Sequence, residues 1–541
     1  MNLIWLLLRT SWFTVAFAVF TGLVSGGCSA LLIALINNAV SSNGTEANIL
    51  VWSFTRLGLV ILITSILSQF LLIHLSQGAI YKLRMSLSTW ILSSPLRHLE
   101  DLGASRLLAT LTDDVQSVSD TIFNIPLLCI DIAVIAGCLI YLGWLDWAVF
   151  LVIICFIVVG TFSIQLMLTK GRRFLALARE EQDRLFKYFR DITEGTKELK
   201  LHRQRRQAFL YEDLQSAAAS SRRYKVVSLS IFAIAVGWGQ IFFFVIIGVL
   251  LFGLPHLVTI NNPILSGYVL TITYLMRPMG SILEMLAPLN KASVALDKIE
   301  SLGLSLASRS EESSNVQSDL PDWNRLELLN ITHAYRGERE ESSFTLGPMD
   351  LTFYPGELVF LVGGNGSGKS TLAKLITGLY IPETGEIRLD GKPITDENRE
   401  WYRQHFSVVF SDFYLFERLL GISITDLDPQ AQDYLVKLQL DHKVKIRNGI
   451  LSTTALSQGQ RKRLALLTAY LENRPIYLFD EWASDQDPLF KEIFYHQMLP
   501  ELKRTGKTVL VISHDDQYFH SSDRLVKLDY GKVEYDKRYH Q

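Results

Sequence analysis

Cysteine is scarce in this 541-residue chain, and neither sign of charge prevails. The four cysteines, Cys28, Cys129, Cys138 and Cys155, sit inside apolar runs without the paired spacing of a metal site. They read as small buried hydrophobes rather than as a disulfide framework or a zinc centre. Lys and Arg number 52 against 54 Asp and Glu, a formal net charge of -2. No basic excess is left to neutralise a nucleic-acid backbone. The start, Met1-Asn2-Leu3, has no basic residue and does not read as a secretory leader. No internal repeat is found. What abounds is apolar sequence: 49% of residues are hydrophobic and mean hydropathy is +0.22, high for a water-soluble protein.

The apolar excess lies in the first 300 residues or so. A membrane crossing needs about 20 mostly apolar residues. Six stretches supply them, at 12–40, 50–80, 121–142, 147–168, 227–254 and 265–289. Several exceed what a bilayer requires and are expected to tilt or to continue into water as helices. The connections at 41–49, 143–146 and 255–264 hold no Lys or Arg, whereas 81–115 and 169–226 hold many, among them Lys82, Arg84, Arg97, Arg106, Lys170, Arg172, Arg173, Arg179 and Lys225. The positive-inside rule puts these basic segments, the N-terminus and the C-terminal half in the cytoplasm. Asn43-Gly44-Thr45, on the outer side, fits a glycosylation sequon.

Each basic segment carries a candidate short transverse helix, near 95–102 and 206–213. Phe209 and Tyr211 on the second are either knobs for a groove on the soluble half or part of an ordinary solvated turn. The polar groups at membrane depth are Asp131, Gln240, Arg277 and Glu284, and such groups usually face a cavity or a partner. Arg277 and Glu284 are seven apart and share one helix face. They either line a substrate cavity or pair structurally near the interface. Trp238 and Phe242-Phe243-Phe244 either meet an apolar substrate or pack and face lipid.

Residues 303–322 are Ser- and Glu-rich and read as a flexible linker between a membrane domain, 1–302, and a soluble α/β domain, 323–541. In the soluble domain, Gly363-Gly364-Asn365-Gly366-Ser367-Gly368-Lys369-Ser370 fits the phosphate-loop pattern G-x-x-x-x-G-K-[ST], between a strand-like run at 358–362 and a helix-like run at 371–376. Its glycines allow a tight turn that aims N–H groups at phosphate oxygens, and the helix N-terminus adds partial positive charge. Lys369 is expected at the β- and γ-phosphates and Ser370 at Mg²⁺. The apolar run 476–479 ends in Asp480, placed to position Mg²⁺ through water, and Glu481, placed to polarise an attacking water. Leu456-Ser457-Gln458-Gly459-Gln460 opens a helix, and Ser457 with the N–H groups of Gly459 and Gln460 offers a second anion site. With one phosphate loop per chain, that site points to another chain's ATP.

In this ordered series the chain resembles the ATP-binding-cassette (ABC) transporter family over essentially its whole length, as an exporter-type half-transporter. The resemblance implies an all-α six-helix transmembrane domain followed by an α/β P-loop ATPase domain. The family signature is Leu-Ser-Gly-Gly-Gln, and here Gln458 stands at the second position after Leu456. Tyr335 matches the aromatic that stacks on adenine, and Gly363 to Thr371 match Walker A. Asp480 and Glu481 match Walker B and its catalytic glutamate. Ser484-Asp485-Gln486-Asp487 occupies the D-loop, and His514, after the apolar run 508–513, matches the switch histidine. Lys369, Glu481 and His514 form the implied catalytic set.

One departure concerns the Q-loop, where Ser411 stands in place of glutamine and would reach Mg²⁺ only through water. The interval from Lys369 to Ser457 is short, which implies a trimmed helical subdomain. Phe406-Ser407-Val408-Val409-Phe410-Ser411-Asp412-Phe413, and Asp480-Glu481-Trp482-Ala483 with Asp485-Gln486-Asp487-Pro488, resemble bacterial cyclic-peptide and siderophore-peptide exporters of the syringomycin and pyoverdine type. The resemblance implies ATP-driven, Mg²⁺-dependent export of a peptide-like substrate by a homodimer in the lipid of the bacterial cytoplasmic membrane, with no nucleic-acid partner. A lipid or lipid-linked glycan flippase is the alternative. An ATP-gated channel or regulator is disfavoured by the intact Glu481 and His514, an importer by the fused layout, and a soluble nucleic-acid ATPase by the spans.

Overall fold

The computed structural model describes residues 3–41, 47–256, 262–303, 322–335, 344–422 and 427–539. The sequon at Asn43 and nearly all of the linker lie outside these. The chain forms two compact units, one of Met1–Met85 with Ala109–Ser301, the other of Ser86–Leu108 with Leu302–Gln541. A short segment from the N-terminal half thus belongs with the soluble unit.

The long helices are α1 (Leu3–Ser41), α2 (Ala47–Leu92), α4 (Val115–Leu145), α5 (Trp147–Glu194), α6 (Gln215–Gly248) and α7 (Asn262–Ser301), with the short α3 (Leu96–Leu102) between α2 and α4. Among the described residues, five segments are long and apolar enough to cross a membrane: Val19–Val40, Leu50–Leu92, Arg106–Leu145, Trp147–Glu194 and Arg203–Gly253. The sixth expected crossing falls on α7, whose apolar run is diluted by Arg277, Glu284 and two internal prolines, Pro278 and Pro288. At 1.5 Å per residue, α2 and α5 are each about 70 Å long, more than twice the ~30 Å hydrocarbon core. Both therefore continue into water, as their basic C-terminal halves require.

Small residues let these helices approach closely, as membrane packing demands. A Cβ on Gly26 of α1 would fall 2.6 Å from the backbone of Ala133 on α4, and one on Gly137 would sit 3.1 Å from Ala30. Between α5 and α6 the rings of Phe242 and Phe232 fill hollows at Gly160 and Gly171, where a Cβ would meet them at 2.7 and 2.8 Å. Ser228 Oγ donates to the Gly171 carbonyl at 2.9 Å. The Tyr268 hydroxyl of α7 lies 2.8 Å from the Leu142 carbonyl and 2.6 Å from that of Asp146. Asp146 Oδ1 caps α5 by accepting from the N–H groups of Ala148 and Val149. Of the four cysteines, Cys138 is buried and Cys155 is exposed on α5. Burial of all four does not hold, because a membrane helix turns part of its apolar face outward.

In the soluble unit, β1 (Leu326–Tyr335), β2 (Phe344–Phe353), β4 (Thr384–Leu389) and β5 (Lys392–Pro393) form an antiparallel sheet in the order β2-β1-β4-β5. A six-stranded sheet has the order β12-β11-β3-β10-β9-β6, with β3 at Leu358–Gly363, β6 at Phe406–Val409, β9 at Ile476–Asp480, β10 at Thr508–Ile512, β11 at Arg524–Asp529 and β12 at Lys532–Arg538. Its inner strands are parallel, and β9 and β10 are buried throughout, as a sheet covered on both faces requires. Two hydrophobic cores cover the two faces. Between β6 and Ser457 the described chain holds one helix, Leu427–Lys437, and a two-residue hairpin, β7 (Ile446–Arg447) with β8 (Ile450–Leu451). Because β3, β10 and β9 run parallel side by side, their C-terminal ends share one edge, the place where open α/β sheets bind ligands.

Candidate nucleotide site

At that edge β3 ends in Gly363 (φ 149°), where a Cβ would clash with the Leu528 carbonyl at 2.3 Å. Gly368 (φ 99°) sits where a Cβ would meet Leu346 at 2.5 Å, so a side chain is barred by both backbone angle and space. The loop leads into α8 (Lys369–Ile376). Gly364, Asn365 and Gly366 are exposed, whereas Ser367 is buried and its Oγ has no hydrogen-bond partner among the described residues. A buried hydroxyl without a partner, beside N–H groups at a helix start, suits an anion.

Lys369 is buried, and its Nζ donates to the carbonyls of Gly363 (2.9 Å) and Gly364 (3.0 Å). Burial lowers its pKa, and the charges of Glu481 and Asp480 oppose that shift. Asp480, at the end of β9, accepts from Ser370 Oγ and from Ser411 Oγ, each at 3.4 Å, on opposite carboxylate oxygens. Burial raises its pKa, the two hydroxyls pull it down, and Glu481 pushes it up. One carboxylate between two hydroxyls is a set of hard oxygen donors of the kind Mg²⁺ takes.

Glu481 follows with φ 50°, a left-handed conformation for a non-glycine residue. Its Oε1 lies 3.2 Å from Nε2 of His514, which is placed two residues past β10. The structure thus brings Lys369, Ser370, Asp480, Glu481, His514 and Ser411 together. Tyr335 ends β1 with its backbone paired to Phe344, and its ring lies outside the described side chains. Thr371 lies in the first turn of α8.

Ser457 caps α9 (Gln458–Glu472) in a capping box: its Oγ accepts from Gln460 N–H, and Gln460 Oε1 accepts from Ser457 N–H. Ser457 and Gln458 are exposed and Gly459 is half-buried. Among the described residues no hydrogen bond joins Ser457–Gln460 to the loop Gly363–Thr371.

Residue patterns did not reveal what holds α3. This helix starts after Pro95 and stops at Gly103 (φ 78°). Glu100 accepts from Lys374 Nζ of α8 at 2.7 Å and from the Tyr380 hydroxyl. Arg97 pairs with Glu383 at 2.8 Å and donates to the carbonyl of Ala334, next to Tyr335. Arg97 holds the Glu383 carboxyl below its usual range. The first transverse helix therefore touches both the element that starts at Lys369 and the strand that ends at Tyr335. The second has its Phe209 ring edge-on to Tyr188 within the membrane unit, while Tyr211 is exposed.

The membrane unit contains a cavity of about 850 Å³ between α5, α6 and α7. Arg277, Glu284 and Gln240 line it together with Arg172 and the rings of Phe232, Phe242 and Phe243. Asp131 lies against Ser281 and Arg277. Phe244 is exposed instead, and Trp238 Nε1 donates to Ser163 Oγ at 3.1 Å.

Residues 346–484 match the family model described as ABC transporter, and residues 11–281 match the ABC transporter transmembrane region. The chain is 38% identical to the ATP-binding protein SyrD of Pseudomonas syringae pv. syringae, over 96% of this chain and 93% of that one. It belongs to the ABC transporter family. This ABC exporter is also 24% identical to the ATP-dependent lipid A-core flippase of Thiobacillus denitrificans, over 88% of its own length and 84% of the flippase. Its fold matches a bacterial Atm1-family ABC exporter with ATP bound, with a TM-score of 0.74, 17% identity and coverage of 98% and 95% of the two chains. As an ABC exporter it is a membrane protein that binds and hydrolyses ATP to drive transport.

Proposed function

We propose that the chain is one half of a homodimer that exports an amphipathic peptide across the bacterial cytoplasmic membrane, with its nucleotide domain and N-terminus in the cytoplasm. The observation that carries the substrate class is the cavity between α5, α6 and α7. It sets a phenylalanine wall beside Arg172 and Arg277, the opposite charge of Glu284 and the amide of Gln240. Apolar side chains, backbone amides and charges of both signs are what a peptide presents. The phosphates of a phosphoglycolipid are anionic, and Glu284 would repel them. The flippase reading keeps the support of the 24% identity to lipid A-core flippases.

The exposed Ser457 and Gln458 favour the dimer, since an exposed cap with no hydrogen bond to its own phosphate loop among the described residues can serve the loop of a second copy. The N–H groups of the loop and Lys369 hold phosphate oxygens and stabilise the charge of the departing group. Ser370 would hold Mg²⁺, with Asp480 and Ser411 reaching it through water, and the ion would supply positive charge against the phosphates. Glu481 accepts the proton of the attacking water, and His514 fixes the orientation of that carboxylate. Tyr335 supports the adenine. Closure of the dimer is driven to the extent that ATP binds the closed form better than the open one, and α3 passes that change to α2.

Proteoliposome transport decides the substrate class. A cyclic, charged, acylated peptide is expected to stimulate ATPase activity and to accumulate inside inverted vesicles, while a short-chain phosphoglycolipid does neither. The opposite outcome would replace this reading with the flippase. Glu481→Gln is expected to retain ATP in a closed dimer, visible by cross-linking, and turnover close to wild type in that variant would remove Glu481 as the base.

A further inference from the structure

We infer that Lys462 is a positioning residue that ties the Ser457 cap, which faces one nucleotide of the proposed dimer, to Glu481, which acts on the other. This rests on the dimer reading above. Lys462 lies just past the first turn of α9, yet its side chain is only 3% exposed. Its ammonium has three donors and finds three acceptors: the Glu481 carbonyl at 2.8 Å, Ser484 Oγ at 2.8 Å and Asp485 Oδ2 at 2.7 Å. Ser484 Oγ itself donates to the Glu481 carbonyl at 2.8 Å.

A buried ammonium is retained only when paired, and breaking such a pair leaves an uncompensated charge. These partners are all within the turn that carries Glu481. Glu481 is held in the left-handed region, and both of its main-chain groups are pinned. Its N–H donates to the Ile512 carbonyl at 3.0 Å, and its carbonyl accepts from Lys462. The direction of its carboxylate therefore depends on Lys462.

The rest of the contact makes the cap and the D-loop one body. A Cβ on Gly459 would lie 2.6 Å from the Asp485 carbonyl, so helix start and loop touch through backbone. Gln486 Nε2 donates to the Gly459 carbonyl at 3.0 Å, and Gln486 Oε1 accepts from Arg463 Nε at 2.8 Å. Arg463 also pairs with Asp487 at 2.6 Å and stacks 3.6 Å over Phe490, while Trp482 Nε1 donates to the Lys462 carbonyl at 2.8 Å. A shift of Ser457 on engaging a phosphate is transmitted to the Glu481 backbone without passing through a flexible segment.

The test uses mixed dimers of two differently tagged full-length chains in nanodiscs, purified through both tags. One chain carries Glu481→Gln, so turnover comes from the other chain's Glu481. Lys462→Met on the chain with intact Glu481 is expected to lower kcat roughly 10- to 100-fold, the scale of an ångström-sized misplacement. The same change on the Glu481→Gln chain is expected to cost at least about tenfold less. Ser484→Ala, which removes the hydroxyl link while keeping the buried ion pair, is expected to show the same asymmetry at smaller size. Equal losses in both arrangements, or a larger loss on the Glu481→Gln chain, would overturn the assignment of Lys462. Failure of the two tags to co-purify would instead overturn the dimer on which it rests.

Discussion

In the soluble unit, consecutive residues from Gly363 to Thr371 build the proposed phosphate loop. In the membrane unit, Arg172, Gln240 and Arg277 reach one cavity from three helices far apart in sequence. The first arrangement relies on main-chain N–H groups, which every residue supplies, and on glycines that free the backbone to aim them. The second relies on side chains brought together by packing, such as the Phe242 ring seated at Gly160. Chemistry built on the main chain leaves a strict local pattern, while chemistry built on assembled side chains leaves scattered polar residues that gain meaning once the helices are packed.

The sharpest break between the two regions is expected at Lys369. Lys369→Ala is expected to lower ATP turnover by roughly 10²–10³-fold, the loss typical of deleting one transition-state donor. It should also weaken ATP binding measured with a fluorescent nucleotide. Unchanged turnover would show that the phosphate loop is not the working site. Arg277→Ala tests the cavity. The peptide concentration for half-maximal ATPase stimulation is expected to rise about tenfold or more, as befits a lost charge-assisted hydrogen bond. A response identical to wild type would detach the cavity from the substrate.

Glu100→Ala tests the docking of α3 within the soluble unit. Its pair with Lys374 is partly exposed, and such pairs are individually weak. A few-fold loss of peptide stimulation is therefore expected, with ATP affinity nearly intact. Equal loss of basal and stimulated rates would make Glu100 a folding residue instead.

The smallest effect concerns pH. His333 is buried and stacked on Tyr380 at 4.9 Å, and burial, with Arg97 adding to it, depresses its pKa. His405 is likewise depressed by burial. Histidines held neutral in the folded state contribute stability that is complete above their ordinary pKa of about 6.5 and is lost as pH falls below it, because the unfolded chain takes up protons the folded one refuses. His333→Phe is expected to reduce the acid-side fall in melting temperature by no more than about 2–4 °C. A steeper fall in the variant would reverse the assigned sign.

The pattern around Lys369, Asp480 and Glu481 was legible because each motif carries its own backbone demand: φ 149° at Gly363, a buried strand before Asp480, a helix after Lys369. The long helices were legible from hydropathy, with α7 weakest because charges and prolines interrupt it. Arg277, Glu284 and Gln240 were visible as costly polar groups, but which cavity they share depends on the α5–α6–α7 packing. Lys462 was hidden, since a lysine one position before Arg463 on a soluble helix reads as solvated until Glu481, Ser484 and Asp485 are seen around it. Glu100 was hidden for the same reason, its partners Lys374 and Tyr380 being remote in sequence. Ser411 was read as reaching metal only through water, and its hydroxyl donates to Asp480.

The early segment Ser86–Leu108 belongs to the unit completed by residues after Leu302. On the ribosome, α3 therefore emerges roughly 200 residues before the surface it docks on starts to be made. At about 5–20 residues per second that surface begins to appear about 10–40 s later. Until then Glu100 and Arg97 have no dock, and a chain cut short before Ala334 never acquires one. Docking of α3 thus reports that synthesis has reached the ATPase, and a truncated copy carries an orphan helix.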